Sequence, residues 1–82
     1  MSGGHFDYQQ FKIEEIADEI MREYKSNENH FSVKTLREFR RAILLLKQAF
    51  IYAHRIDWLL SGDDGEERFH ERLQEELKRL KI

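Results

Sequence analysis

The stretch VKTLREFRRAILLLKQAFIYAHRIDWLL, Val33 to Leu60, decides the fold. It contains neither glycine nor proline, and it lies between Ser32 and the Ser61-Gly62 pair. Ser32 has the character of a helix N-cap, with Phe31 before it and Leu36 placed as a hydrophobic staple. Nothing breaks the pattern before Ser61, so the spacing predicts one helix of 28 residues, roughly 42 Å long.

This helix is apolar on three sides. Leu36, Phe39, Ile43, Leu46, Phe50, Ala53, Asp57 and Leu60 alternate at three- and four-residue steps, a heptad seam with one polar member. Ala42, Leu45, Ala49, Tyr52, Ile56 and Leu59 form a second stripe of the same rhythm, and Leu44, Ile51 and Trp58 a third. A helix with so much apolar surface is built to be surrounded.

Outward from it, the flanks supply two shorter helices. Asp7 is read as an N-cap, with Gln10 completing a capping box and Phe6 and Phe11 as the staple. Ile13, Ile16, Ala17, Ile20, Met21 and Tyr24 then recur at helical spacing to about Lys25, opposite Glu14, Glu15, Asp18, Glu19, Arg22 and Glu23. Beyond the Ser61–Gly65 turn, Asp64 and Glu67 form another capping-box pattern. It opens a helix from about Glu66 to Lys81 with a narrow stripe of Phe69, Leu73, Leu77 and Leu80. The predicted fold is all-α, three helices in short-long-short order around one long central helix. Residues 1–6 are read as a disordered N-terminus and 7–82 as a single helical domain.

Two short helices cover at most two stripes. Leaving Leu44, Ile51 and Trp58, or part of the stripe holding Leu45 and Tyr52, in water exposes several hundred Å² of apolar surface. Burying such a patch contributes several kcal/mol at about 25 cal/mol per Å², before association costs. The expected remedy is a homodimer that completes a helical bundle, with Leu44, Leu45, Ile51, Tyr52 and Trp58 at the interface.

Charge is uneven along the chain. Residues 1–32 carry three basic and seven acidic side chains, 33–56 six basic and one acidic, and 57–82 five basic and eight acidic. Lys34, Arg37, Arg40, Arg41 and Lys47 make the middle a basic patch of the kind that nucleic acid attracts. With a net charge of −2 and no helix-turn-helix spacing, pairing with carboxylates of the flanking helices or of a second subunit is the better account. The absence of cysteine removes disulfide and thiolate chemistry and fits a reducing compartment. No apolar run reaches membrane-spanning length, and no signal-peptide pattern opens the chain. A cytoplasmic location is expected.

Catalytic patterns are sparse. His54 and Asp57 are three apart on the long helix, and Glu67 and His70 three apart on the last one. Folding back at Gly62 would bring the two pairs level, and two histidines with two carboxylates could hold a divalent metal. Only one Glu-x-x-His is present, so local His–carboxylate bonding or a register-fixing cross-link is the plainer reading. The carboxylates Glu14, Glu15, Asp18 and Glu19 lack a facing acidic pair and read as a solvated face. Asp57, alone on the apolar seam, needs a partner, and His54, Arg55, Arg68 and His70 are candidates. If it only sets register, Asp57→Leu raises the melting temperature.

No Gly-rich phosphate loop, nucleophile elbow or Ser/His/Asp set appears. The reading is a non-catalytic protein-interaction module without a cofactor. It would be a small homodimeric helical regulator, adaptor or subunit of a larger complex, partnered by itself and another protein. A small nucleic-acid-binding protein using the basic face is the alternative, and a metal-dependent helical-bundle enzyme a distant third.

Overall fold

A computed structural model describes residues 4–80 as three helices: α1 Gln10–Ser26, α2 Val33–Leu60 and α3 Glu66–Arg79. No strand occurs among the described residues, and no described helix is long and apolar enough to cross a membrane.

α2 has the expected bounds because both its ends are set by local chemistry. At the start, Ser32 Oγ accepts the Thr35 N–H at 3.3 Å, taking one of the donors that a first turn leaves free. At the end, Gly62 adopts φ +81°. The Gly62 N–H donates to the Leu59 carbonyl, and the Asp63 N–H to that of Trp58. These are the paired bonds of a Schellman motif. Between α1 and α2, Asn27 takes the left-handed conformation, and its side chain grips Phe31 through bonds of 2.9 and 3.3 Å. The Phe31 ring rests on Phe39, 5.6 Å between centroids.

The other two helix starts differ from expectation. Asp7 does not cap α1: Asp7 and Tyr8 sit at φ 55° and 61° within a run of turns, and the helix begins at Gln10. Asp64 does not cap α3 either. Gly65 takes that position without a side-chain bond, and Asp64 turns back to Arg55 of α2 at 3.6 Å. In both places a partner on α2 offers more than the local cap. Of the expected disordered residues 1–6, Met1, Ser2 and Gly3 lie outside the described residues. The backbone N–H groups of Gly4 and Phe6 instead donate to Asp57 of α2, and that of His5 to Ser61 just past its end.

α1 and α3 both pack on α2 and not on each other. The chain measures 46 × 24 × 13 Å, so it is close to one helix diameter thick. Its buried apolar side chains, among the described residues, are Ala17, Ile43 and Leu73, one from each helix. The first stripe of α2 faces α1. α3 lies over the C-terminal part of the third, leaving Ile51 and Trp58 half-buried.

Gly62 has open space around it, so an added methyl meets no clash and the cost of substitution is purely conformational. Gly62→Ala should destabilise the fold by about 1 kcal/mol in chemical denaturation. Gly65→Ala, at a negative φ, should cost less.

Candidate functional site

Asp57 is fully buried, and none of its four expected partners holds it. Its carboxylate accepts the Gly4 N–H at 2.9 Å and the Phe6 N–H at 2.8 Å, with the Gln10 amide donating at 3.3 Å. The intervening His5 N–H donates to Ser61 Oγ at 3.1 Å. One turn of α2 thus fastens three successive backbone amides of the N-terminal segment. Burial pushes the Asp57 carboxyl up, but the bonds from Phe6, Gly4 and Gln10 outweigh it and hold the group below the usual carboxylate range. Left-handed Asp7 and Tyr8 cost roughly 1–2 kcal/mol each, and charge-assisted bonds at Asp57, about 1.5–3 kcal/mol apiece, offset that.

The Gln10 side-chain nitrogen lies 3.4 Å from His54 Nδ1. Asp57 dictates which way this amide points, since the carboxylate would repel its oxygen. Nδ1 therefore accepts, and the imidazole is the neutral Nε2–H form. Its ring stacks on Phe50 and meets Phe11 and Trp58 edge-on at 5.4–6.0 Å. Burial lowers the His54 pKa first and the neighbouring Arg55 charge next, against smaller upward pulls from Glu76, Asp57 and Glu14.

Arg55, expected as a candidate partner of Asp57, is instead nearly buried under Asp64 and Glu76 at 3.6 and 3.5 Å and lies over the Trp58 ring at 5.1 Å. It clamps the turn and α3 to α2. The one available signal was its place on the third stripe's side of α2, where a cation needs partners.

The four metal candidates are not brought together. Asp57 is engaged by amides and His54 by aromatic rings, while Glu67 and His70 are exposed on α3. Among the described residues no three His, Asp or Glu side chains group to hold a metal. Of the basic patch, Lys47 reaches Asp18 of α1 at 2.8 Å and Arg41 lies 3.7 Å from Glu38 on its own helix. Lys34, Arg37 and Arg40 are exposed at the N-terminal part of α2.

The expected interface residues divide. Ile51 and Trp58 are half-covered by α3, and Leu44 lies exposed beside Leu80, near the last turn of α3. Leu45 and Tyr52 are 58% and 46% exposed. With exposed Ala49 and half-buried Ala42, Ile56 and Leu59, they form the second stripe, the side of α2 that neither short helix covers. Ile16 extends this surface onto α1. It stands about 160° around that helix from Asp18, which points to Lys47, and is 51% exposed. The most developed feature of the surface is therefore an apolar face, with no acid–base pair aimed into it.

No protein-family model, curated protein or solved structure matches this chain.

Asp57→Leu removes the acceptor for two backbone donors. It should lower stability by about 1–3 kcal/mol and release residues 4–9, the reverse of the outcome for a register residue. Asp57→Asn, which keeps one carbonyl acceptor, should fall between, as read by denaturation and amide exchange at Phe6.

Acidification should weaken the fold in two stages. The unfolded chain protonates His54 below about pH 6.5 while the folded chain resists, so stability falls there first. The Asp57 contribution is complete above about pH 3.9 and is lost as pH drops through its lower folded value. Thermal melts against pH should show both stages, and His54→Phe should lack the first.

Proposed function

We propose that this chain is a non-catalytic protein-interaction module, a small helical subunit that self-associates and serves as a regulator, adaptor or component of a larger complex. The observation that supports this reading is the uncovered second stripe of α2 with Leu45 and Tyr52 at its centre. Accessible surface is 6221 Å², against roughly 5,200 Å² for a compact protein of this mass. The excess, roughly 1,000 Å², is that of a thin chain, and on this face it includes Leu45 and Tyr52, 58% and 46% exposed. The anchor at Asp57 and the Arg55 clamp fit such a role, because both brace α2 from the sides and leave this face open.

Exposed Lys34 and Arg37 favour one second reading, contact with nucleic acid along the N-terminal part of α2. That reading requires salt-steep binding to DNA or RNA that Arg37→Glu with Arg41→Glu abolishes without a change in stability.

Sedimentation equilibrium at tens of micromolar should give about twice the 10.0 kDa chain mass. Leu45→Glu with Tyr52→Glu should return it to one chain mass with helix content intact. A wild-type protein that sediments as a single chain at that concentration would sink the self-association reading.

A further inference from the structure

The three stripes of α2 stand about a third of a turn apart; α1 lies on the first and α3 on the third. Resting on the self-association reading above, we propose that the second stripe is covered by α2 of a second copy of this chain. The two helices run antiparallel about a two-fold axis between Phe50 and Ile51. In this register Ala42 meets the partner's Leu59, Leu45 meets the partner's Ile56, and Ala49 meets the partner's Tyr52.

Steric alternation selects this orientation. Antiparallel pairing sets each alanine of the stripe against a large residue, so the layers fill evenly. Parallel pairing sets Ala42 and Ala49 against their own copies and leaves voids, while Leu45 and Tyr52 each crowd their counterparts.

Charge selects it independently. The opening turns of α2 carry Lys34, Arg37, Arg40 and Arg41 against Glu38, whereas the turn after α2 and the start of α3 carry exposed Asp63, Glu66 and Glu67, Asp64 being taken up by Arg55. Antiparallel helices lay the basic end of each copy beside the acidic end of the other; parallel helices lay like on like. Glu38 is the one acidic residue at the basic end, with Arg41 3.7 Å away on the same helix. Exposed Ile16 and Leu60 supply apolar rim on the α1 side of the seam.

The chain has no cysteine, so an introduced thiol is unique. Leu45→Cys and Ile56→Cys chains, mixed and treated with a short thiol cross-linker, should yield a product holding one of each by intact mass. Leu45→Cys alone should not cross-link to itself. Glu38→Lys should tighten the dimer a few-fold in sedimentation, because it removes the one acidic residue from the basic end that faces the partner's acidic end; circular dichroism checks that each variant keeps its helices. A dimer in which Leu45→Cys joins its own copy, or in which Glu38→Lys leaves affinity unchanged, overturns the antiparallel register and spares self-association. A wild-type chain that never dimerises overturns both.

Discussion

An isolated α2 would expose apolar side chains all the way round, and the chain supplies two short helices to cover it. Most of the remaining structure follows from that mismatch. α1, 17 residues, and α3, 14 residues, each bring one narrow stripe, so each finds its lowest-energy place along a different side of α2 rather than against the other. The consequence is a thin layer with one buried apolar residue per helix and a long uncovered side. Small domains have little core to spare, and this one leaves the second stripe of α2 largely uncovered.

Polar fastenings compensate for the slender core. Asp57 and Arg55 lie two residues apart on α2 and therefore on different sides of it. One holds the N-terminal segment, and the other holds the turn and α3. Asp57 is met by three N–H donors, whereas Arg55 is balanced by two carboxylates at ion-pair distance, with its Nε and Asp64 Oδ2 left without a hydrogen bond. Removing the charge at either site leaves its buried partners unsatisfied. The left-handed pair Asp7 and Tyr8 belongs to the same arrangement: its backbone cost is tolerable only because Asp57 collects the amides of Gly4 and Phe6.

The same fastenings explain why the titratable residues that first invite a chemical reading are not arranged as a site. His54 is held neutral between Phe50 and Trp58, with the Gln10 amide on Nδ1, and the Asp57 oxygens point into a ring of N–H donors. What remains open is a face with apolar residues along its middle and opposite charges at its two ends. It is on this face that the proposed function rests.

What the sequence alone determined is local. The bounds of α2 are legible because the Ser32 cap and the Gly62 turn act over a few residues, and the α3 stripe of Phe69, Leu73 and Leu77 repeats within single turns. The three stripes of α2 were likewise visible from spacing, as was their excess over the available cover. Tertiary structure decided everything that depended on partners distant in the chain. Asp7 with Gln10, and Asp64 with Glu67, are sound capping patterns, yet Gln10 goes to Asp57 and Asp64 to Arg55, because a buried charge on α2 rewards a donor or a carboxylate more than a solvent-exposed helix start does. Spacing also could not tell which stripe would stay open. That depended on the direction in which the Gly62 turn sends α3, and on Asp57 drawing the N-terminal segment across the end of the first seam, both of them three-dimensional facts with no period in the sequence.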